Sequence, residues 1–438
     1  MPAPLQLVHS DVELPEKADV VVIGGGIVGV CTAYFLARSG VSVALVEKGR
    51  IAAEQSSRNW GWCRQMNRDK RELALATRSL ELWEEIQAET GEDLGFSRCG
   101  LLYLTDKASE LEGWAKWCAA AKSDGMKTEV LSASQAMERA VDSAKPWLGG
   151  IFSPTDGVAD PAIAGPTIAR AVQKHGGTIH QFCAARGVER QAGRISGVVT
   201  EHGTIATQRV VMAGGAWASS FCRQLGISVP QSSVRSSILS ITDPGSKLPP
   251  AVHSEMVSIT KRSTGGYTLA ISGLARIDPT FQALRYGNRF IPMFIQRRDY
   301  LKPGGMQALR SGHETLRKWR LDQITPMEKV RILDPIPDQA TIDETLRRAR
   351  LLFPALGASA LQNGWAGYID STPDGVPVIE EVAPGFILAA GMSGHGFGIG
   401  PGVGQLTAAL ARGQTPDLSH RQYGLARLQR GAVEVSDF

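Results

Sequence analysis

A glycine turn near the start of this chain constrains its fold more than any other feature. Gly24, Gly26 and Gly29 form a G-x-G-x-x-G pattern that follows a short apolar run, residues 19–23, and opens an apolar helical pattern. Glycines at these positions permit a tight turn, let a pyrophosphate approach the backbone and allow a helix to pack closely on a strand. In this context the pattern predicts a strand, turn and helix that bind a dinucleotide.

A second apolar run, residues 41–46, completes this unit and ends at Glu47. An acidic residue at this spacing accepts hydrogen bonds from ribose hydroxyls, and the phosphates lie at the helix N-terminus, where unpaired N–H groups favour negative charge. We include Ile27, within the glycine pattern, and Lys48, after the acid, among the expected cofactor-binding residues. The pattern alone does not distinguish FAD from NAD, because both use it.

The composition indicates a globular protein and excludes several classes. The chain has 438 residues, 43% of them hydrophobic, which is enough for a large core and two or three domains. Its 47 basic and 43 acidic residues are interspersed, so we expect no nucleic-acid partner. The six cysteines show neither a C-x-x-C pair nor histidines at metal-ligand spacing, so we expect reduced thiols and no metal.

The chain shows no targeting or membrane signal. Residues 1–18 are polar and charged, unlike a signal or transit peptide. The apolar run after Asp19 is broken by glycines and by Arg38, so no stretch of about 18 uninterrupted apolar residues remains. We therefore expect a cytoplasmic protein without a membrane span.

Five further segments carry a family resemblance. They are residues 55–65 (QSSRNWGWCRQ), 157–161 (GVADP), 212–217 (MAGGAW), 364–379 (GWAGYIDSTPDGVPVI) and 391–404 (GMSGHGFGIGPGVG). Together they resemble the D-amino-acid oxidase family of flavoproteins, which includes D-amino-acid dehydrogenases, glycine oxidase and the sarcosine oxidases. The resemblance runs from about residue 19 to 412 and is weakest between residues 234 and 355.

The resemblance implies an α/β protein, α+β overall, in which a sheet-based substrate domain is inserted into a Rossmann-like FAD-binding domain. The expected FAD-binding domain comprises residues 1–90, 150–233 and 356–438. The expected substrate-binding domain comprises residues 91–149 and 234–355.

The resemblance also implies which residues hold the FAD. One loop would lie along the pyrophosphate and flavin, and a backbone position would face the adenine. The end of the MAGGAW segment would bind the cofactor, with its first two residues below closing over the adenosine. A glycine-rich loop would lead to the flavin pyrimidine ring. In that order these residues are Ser56, Ser57, Arg58, Asn59, Trp60 and Gly61; Val188; Ala213, Gly214 and Trp217; and Gly394, His395, Gly396, Phe397 and Gly398. A final helix is expected to begin near Gly402, after Pro401, with its N-terminus directed at the flavin N1/O2 edge.

The implied chemistry is hydride transfer from the α-carbon of an amine to flavin N5, followed by hydrolysis of the imine. Such a reaction requires orientation of the substrate more than a side-chain base. Where one subgroup attaches its flavin through a cysteine, this chain has Gly367. We therefore expect non-covalent FAD.

The substrate residues depart from part of the family. Ile369 stands where the amino-acid oxidases carry the arginine that binds the substrate carboxylate. We expect Arg64 to bind the carboxylate instead, because sarcosine-type members place a substrate-binding arginine in the loop that corresponds to residues 57–64. The alternative for Arg64 is a role on the FAD phosphates or in a surface ion pair. Tyr368 is a second candidate for the pocket. His395 is a candidate at the flavin, with a purely structural role as the alternative.

Two positions bear on the electron acceptor. Thr268 and Gly398 stand where sarcosine-type oxidases have lysines, one of which assists reaction with oxygen. We therefore expect a quinone or dye to accept electrons better than oxygen.

The expected substrate is a D-amino acid, with a secondary amine or N-alkyl amino acid as the alternative. An electron-transferring subunit of a larger amine-oxidising complex, an FAD-dependent hydroxylase and a homo-oligomer remain open.

Overall fold

A computed structural model describes residues 3–123, 125–245, 247–429 and 435. The fold is a mixed α/β architecture with one mainly parallel sheet and one large mixed sheet, as the sequence predicts. None of the described helices is both long and apolar enough to cross a membrane.

The strands are numbered in chain order. They are β1 (Val20–Ile23), β2 (Val43–Val46), β3 (Trp62–Cys63), β4 (Leu101–Thr105), β5 (Glu129–Leu131), β6 (Gly149–Ser153), β7 (Gly157–Val158), β8 (Thr178–His180), β9 (Ala185–Gln191), β10 (Arg194–Thr200), β11 (Gly203–Ala206), β12 (Arg209–Met212), β13 (Ser232–Ile241), β14 (Ala251–His253), β15 (Ser258–Lys261), β16 (Tyr267–Ala270), β17 (Ala275–Ile277), β18 (Leu301–Pro303), β19 (Leu361–Ser371), β20 (Val378–Ala383) and β21 (Phe386–Ala390).

The α-helices are numbered in the same way. They are α1 (Ile27–Arg38), α2 (Leu73–Thr90), α3 (Ala108–Ser123), α4 (Ala133–Arg139), α5 (Ala164–Lys174), α6 (Ala218–Cys222), α7 (Phe281–Arg297), α8 (Gln307–Ser311), α9 (Pro326–Lys329), α10 (Gln339–Leu352) and α11 (Gly396–Ala411).

The parallel sheet has the order β20-β21-β12-β1-β2-β8, and only β20 runs antiparallel to its neighbour. Side chains alternate between its two faces, as the pleat requires. Val20 and Val22 of β1 pack on the side of α1, α2, α5 and α11. Val21 and Ile23 pack on the opposite side, with the small sheet β9–β11. Both faces are therefore buried, which explains the continuous apolar runs in the sequence.

The large mixed sheet has the order β18-β17-β13-β16-β15-β14-β4-β6-β5, with β19 also paired to β13. The β13–β19 pair extends from Ser232↔Ser371 to Ile241↔Leu361. Two of these strands, β6 and β19, come from segments that we assigned to the FAD-binding domain. In the structure these two strands lie in the large mixed sheet and not in the parallel sheet. The predicted division into two domains stays a prediction.

One predicted strand is two strands in the structure. The pattern of residues 204–211 in the sequence predicts a single hairpin strand, but in the structure β11 belongs to the small sheet and β12 to the parallel sheet. The chain changes sheets at Thr207, whose hydroxyl donates to the carbonyls of Asp19 and Arg209 at 3.1 and 3.0 Å. The apolar run continues across this point, so the pattern alone concealed the break.

The last helix begins earlier than the sequence indicates. We placed its start near Gly402, but α11 begins at Gly396 and contains Pro401 as its sixth residue. The misleading signals were the proline, which usually marks a first turn, and the glycines, which are poor helix formers. In the folded chain α11 packs against α1 so closely that a Cβ on Gly404 would lie 2.5 Å from Cys31 Cβ. Packing between the two helices therefore outweighs the low helix propensity of glycine.

Helix α7 lies in the region where the resemblance is weakest. Thr280 caps its start, accepting a hydrogen bond at its hydroxyl from the backbone N–H of Ala283 at 3.0 Å. Pro292 lies inside the helix and masks the helical pattern in the sequence. The sequence analysis therefore missed this helix, although it lines one of the cavities of the candidate site.

Candidate active site

The first cavity lies at the carboxyl ends of β1, β2 and β12, where dinucleotides bind in such sheets. Gly24 follows β1 with a φ of +108°, a conformation that favours glycine, and a Cβ there would lie 2.5 Å from the carbonyl oxygen of Ala213. Thirteen predicted cofactor residues line this cavity: Gly24, Gly26, Ile27, Glu47, Lys48, Ser56, Asn59, Ala213, Gly214, Trp217, Gly394, Gly396 and Phe397.

The N-terminus of α1 points into this cavity beside the predicted pyrophosphate loop. The backbone N–H of Ile27 donates to Ser56 Oγ at 2.8 Å. A Cβ on Gly26 would stand 3.2 Å from the same hydroxyl, so a side chain there would crowd the gap between helix and loop. Because helix N-termini favour anions, this gap is suited to phosphate groups.

Glu47 is anchored by backbone donors at the end of β2. Its Oε2 accepts from the N–H of Gly25 and its Oε1 from that of Gly49, both at 2.7 Å. Burial raises the pKa of this carboxyl, while Lys48 and the two backbone donors act in the opposite direction. Lys48 in turn pairs with Glu54 at 2.5 Å and lies 4.7 Å from the centre of the Trp217 ring.

Two buried polar atoms in the cavity wall support a large polar ligand. Trp217 Nε1 and Gln55 Oε1 have no hydrogen-bond partner among the described residues, and both side chains line the first cavity. A buried donor or acceptor without a partner is unfavourable, so such atoms are expected to meet a ligand or water. Together with the α1 N-terminus and Glu47, they fit the polar groups of FAD.

Asn59 organises the predicted pyrophosphate and flavin loop. Its Nδ2 donates to the carbonyl of Ser56 at 2.9 Å, and its Oδ1 accepts from the N–H of Gly61 at 2.8 Å. Its side chain borders the first cavity and two further cavities. This residue therefore marks the junction of the three spaces.

The second cavity has a volume of about 380 Å³ and lies on one side of Trp60. Its walls include Thr268, Trp365 and Lys261. The third cavity, of about 400 Å³, lies between β13, β17 and α7. Both cavities border Asn59 and Trp60, and the third also shares Gln55 and Gly394 with the first.

Some predicted cofactor residues lie outside the first cavity: Gly29, Ser57, Arg58, Trp60, Gly61, Val188, His395 and Gly398. Ser57 and Trp60 border the second cavity, and Arg58 and Trp60 the third. On β9 it is Ala185, not Val188, that lines the first cavity. Their assignment to the cofactor stays a prediction.

Gly398 and His395 hold the start of α11 against neighbouring elements. A Cβ on Gly398 would lie 2.6 Å from the carbonyl oxygen of Trp62. His395 Nε2 and Glu72 Oε1 are 2.6 Å apart, and burial lowers the pKa of this histidine. These contacts give His395 a structural role, while a catalytic role stays a prediction.

Neither of the two predicted substrate residues lines the third cavity. Arg64 donates to the backbone carbonyls of Met66 and Asn67 and lies over the Tyr103 ring, and it borders none of the three cavities above. Tyr368 lines the first cavity, and its hydroxyl donates to Asp278. Their role in substrate binding stays a prediction.

A buried polar cluster lies behind Tyr368. Asp278 also pairs with Arg235, at 3.2 Å. Burial raises the pKa of Glu314 to about 7, although the Thr280 hydroxyl donates to its carboxylate at 2.5 Å. Burial lowers the pKa of the neighbouring His313 to about 4. The cluster therefore favours a neutral histidine and, up to near neutral pH, a protonated glutamate.

The sequence analysis missed several residues that line these spaces. Gln55 immediately precedes the predicted loop and could have been included with it. Met212 also lines the first cavity and could have been included with the MAGGAW segment that it begins. Met327 and Phe221 line it as well, but nothing in their spacing distinguishes them from ordinary core residues. Arg297 of α7 lines the third cavity and lies where the resemblance is weakest.

The structure is similar to solved amino-acid oxidoreductases along nearly its whole length. It matches L-amino acid deaminase from Proteus vulgaris with a TM-score of 0.91 and 30% sequence identity, covering 96% of this chain and 100% of that one. D-amino acid dehydrogenase from Methylobacterium sp. is 24% identical over 94% of this chain and the full length of that protein.

A further relative aligns with only part of the chain. Human mitochondrial sarcosine dehydrogenase is 31% identical over 225 residues, which are 50% of this chain and 24% of that protein. The chain thus spans only a fraction of the length of this relative. The family model of the FAD dependent oxidoreductases (DAO) matches residues 19–410. This chain belongs to the DAO family of FAD-dependent oxidoreductases.

Proposed function

We propose that this protein catalyses the FAD-dependent oxidative deamination of an α-amino acid. The observation that supports this best is the junction of the first and third cavities at Gln55, Asn59 and Gly394. A dinucleotide whose adenosine end lies near Glu47 would reach this junction with its reactive end. The third cavity then becomes the space for substrate.

Each part of the site has a role in this proposal. When bound, FAD accepts the hydride that leaves the substrate α-carbon. The α1 N-terminus and Ser56 hold the pyrophosphate, and Glu47 accepts hydrogen bonds from the ribose. The walls of the third cavity are mainly apolar, which favours the uncharged amine, the form able to give up a hydride.

We propose the L configuration for the substrate, in place of the D configuration expected from sequence. The support is the full-length similarity to L-amino acid deaminase at 30% identity, against 24% for D-amino acid dehydrogenase. An N-alkyl amino acid is the second candidate, favoured by the partial match to sarcosine dehydrogenase.

We also propose that the FAD is bound without a covalent link. None of the six cysteines borders the first cavity. Gly367, where one subgroup has its cysteine, faces Gln55 and Arg58 and offers no nucleophile.

The test is a flavin bleaching screen. Purified holoenzyme is mixed anaerobically with L-amino acids, D-amino acids and N-methyl amino acids, and the 450 nm absorbance is followed. We expect L-amino acids to bleach the flavin fastest. Acid precipitation should release the FAD into solution. Bleaching by D-amino acids alone would refute the configuration, and no bleaching by any amino acid would refute the proposed function.

A further inference from the structure

We infer that the second cavity binds a quinone, which takes the electrons from the reduced FAD. This inference rests on the proposed function, which supplies those electrons, and it adds a binding site for the electron acceptor. The substrate and the acceptor then use different cavities, which meet at Asn59 and Trp60. This arrangement lets the flavin be re-oxidised before the product has left the third cavity.

The second cavity lies beside the loop that is predicted to run along the flavin. Asn59 borders all three cavities, so the second cavity adjoins the junction where the reactive end of the dinucleotide is proposed to lie. The half-buried Trp60 ring lines both the second and the third cavity. Asp93 and Lys261 in the wall of the second cavity are exposed, so this cavity also opens to solvent.

One buried donor in the wall of the second cavity lacks a partner. Trp365 on β19 is 3% exposed, and its Nε1 has no hydrogen-bond partner among the described residues. A buried N–H without an acceptor is unfavourable, so it is expected to meet an oxygen atom of a ligand or of water. This wall therefore suits a ligand that carries a carbonyl oxygen.

Two threonines add hydroxyl groups to the same wall. Thr260 on β15 and Thr268 on β16 are direct partners in the sheet, and both line the second cavity. The Thr260 hydroxyl oxygen accepts from Trp62 Nε1 at 2.7 Å, which leaves its own hydrogen to donate. The hydroxyls supply further donors for a ligand with more than one oxygen.

The size and shape of the second cavity favour a flat ring. Three aromatic side chains, those of Trp60, Phe96 and Trp365, line the cavity. Phe96 is held by stacking on Trp83, with ring centres 5.9 Å apart and planes 13° from parallel. The volume of about 380 Å³ is in the range of sites for ring-sized ligands and far exceeds what molecular oxygen requires. A quinone combines a flat ring with two carbonyl oxygens.

The charges of the wall favour a neutral ligand. Two acidic and two basic residues line the second cavity, namely Asp93, Asp160, Lys261 and Arg262. The Asp160 carboxylate already accepts a hydrogen bond from the hydroxyl of Ser263. Because these charges balance, the cavity does not select an anion, which distinguishes it from a phosphate or carboxylate site. A neutral quinone meets this condition.

The electron transfer balances with water as the source of one proton. The hydride that the substrate gives to FAD passes on to the quinone, so the flavin is oxidised and the quinone is reduced. A second proton comes from water, and both quinone carbonyls become hydroxyls. The Trp365 N–H and the threonine hydroxyls are placed to donate to the oxygen on which negative charge develops.

The first test isolates the re-oxidation of the flavin. Holoenzyme is reduced by light with EDTA, without an amino acid, and re-oxidation by ubiquinone-1 is followed anaerobically. Trp365→Phe, which loses the N–H, should lower the rate constant roughly 2- to 10-fold, the effect of one neutral hydrogen bond. Thr268→Phe should lose most of the re-oxidation, because its ring fills the cavity. Thr264→Phe, exposed in the turn between β15 and β16, is the matched control.

A third variant distinguishes the second cavity from the third. Ser236 on β13 lines the third cavity. Ser236→Phe should slow the bleaching of the flavin by amino acids and change re-oxidation by ubiquinone-1 little. Thr268→Phe should show the opposite pattern.

Binding is measured without turnover. A quinone quenches tryptophan fluorescence when its ring contacts an indole, and Trp60 and Trp365 both line the cavity. Titration of oxidised holoenzyme with ubiquinone-1 should give saturable quenching in the native protein and in Thr264→Phe, and loss of that quenching in Thr268→Phe. FAD content and thermal unfolding show whether each variant is folded. If Thr268→Phe does not fold, the rate of Trp365→Phe decides.

The outcomes separate this inference from the proposed function. Normal re-oxidation in folded Thr268→Phe or in Trp365→Phe overturns the quinone site, as does a native protein that ubiquinone-1 does not re-oxidise. Slow re-oxidation in Ser236→Phe alone assigns the acceptor to the third cavity and also overturns it. Re-oxidation that depends on Thr268 and Trp365 in a protein that oxidises no amino acid would support the site and refute the proposed reaction.

Discussion

The hydroxyl of Tyr368 donates a 3.0 Å hydrogen bond to Oδ2 of Asp278. The same carboxylate accepts from Arg235, and the three side chains are buried. Burial and the adjacent carboxylate raise the pKa of the Tyr368 hydroxyl, so it remains a donor at physiological pH. A residue that the sequence suggested for the substrate pocket is thus part of a network that joins β13, β19 and the chain after β17.

Tyr368→Phe is expected to lower the free energy of unfolding by roughly 1.5–3 kcal/mol, the usual contribution of a hydrogen bond to a charged group. Asp278→Ala should lower it by about 3–5 kcal/mol, because it leaves Arg235 buried without its partner. Urea unfolding of the two variants measures both. If Tyr368→Phe keeps its stability but loses much of its kcat/KM, Tyr368 acts on the substrate and its role is not mainly structural.

Glu47→Ala is expected to weaken FAD binding by roughly 10- to 100-fold, as loss of hydrogen bonds to a carboxylate implies. The variant should also unfold at a lower temperature without FAD, because the N–H groups of Gly25 and Gly49 lose their acceptors. Glu47→Gln keeps one acceptor oxygen and should fall between. Fluorescence titration of the apoprotein with FAD gives the affinity, and Glu138→Ala, on the exposed face of α4, is the control. An FAD affinity of Glu47→Ala equal to that of the control would remove Glu47 from the site.

Stability should depend on pH through Glu314 and His313 with opposite signs. The pKa of Glu314 is raised to about 7, so its contribution is fully present below its ordinary value of 4.5 and is lost as the pH rises through 7. The pKa of His313 is lowered to about 4, so its contribution is present above 6.5 and is lost as the pH falls through 4. The two dependences oppose each other between these limits.

Glu314→Gln removes the titrating carboxyl and so isolates the contribution of Glu314 to the pH dependence of stability. The stability advantage of the native protein over Glu314→Gln should decline between pH 5 and 7, by at most about 1.4 kcal/mol per pH unit. Urea unfolding at several pH values tests this. A constant difference across the range would show that Glu314 titrates normally in the folded state.

Two glycine substitutions should have opposite effects on stability. Gly404→Ala places a methyl group 2.5 Å from Cys31 Cβ and 2.9 Å from the backbone nitrogen of Thr32, so it should separate α11 from α1 and destabilise the protein by about 1–3 kcal/mol. Gly113→Ala, in α3, meets nothing within 4 Å and should stabilise it by roughly 0.5–1 kcal/mol. Thermal unfolding measures both. A stable Gly404→Ala variant would show that the two helices can separate freely.

The reduced enzyme is expected to react faster with a dye or quinone than with oxygen. Thr268, which lines the second cavity, supplies no positive charge to stabilise the negative charge that oxygen acquires. Peroxide formation in air, compared with the dye-coupled rate, tests this. Thr268→Lys should raise the oxygen rate, while Thr268→Met should not. Equal rates with dye and oxygen in the native protein would contradict the prediction.

The sequence alone determined the fold class and the cofactor-binding unit. Local signals were sufficient there, because the strand, the glycine turn, α1 and Glu47 lie within about thirty residues, as is usual for such a unit. The spacing of these residues directly reflects the geometry that a dinucleotide requires. The family resemblance of the glycine-rich segments supplied FAD as the cofactor.

Only the tertiary structure decided where the three cavities lie and which side chains line them. Arg64 and Tyr368 stand beside recognisable motifs, yet their polar groups bond to backbone carbonyls and to Asp278. Arg297 stands in no motif, yet the packing of α7 against β13 and β17 brings it to the third cavity. Such contacts join residues that are far apart in the chain, so no local pattern encodes them. The start of α11 before Pro401 has the same explanation. It depends on the packing of α11 against α1, and the intrinsic helix propensities of the residues do not predict that packing.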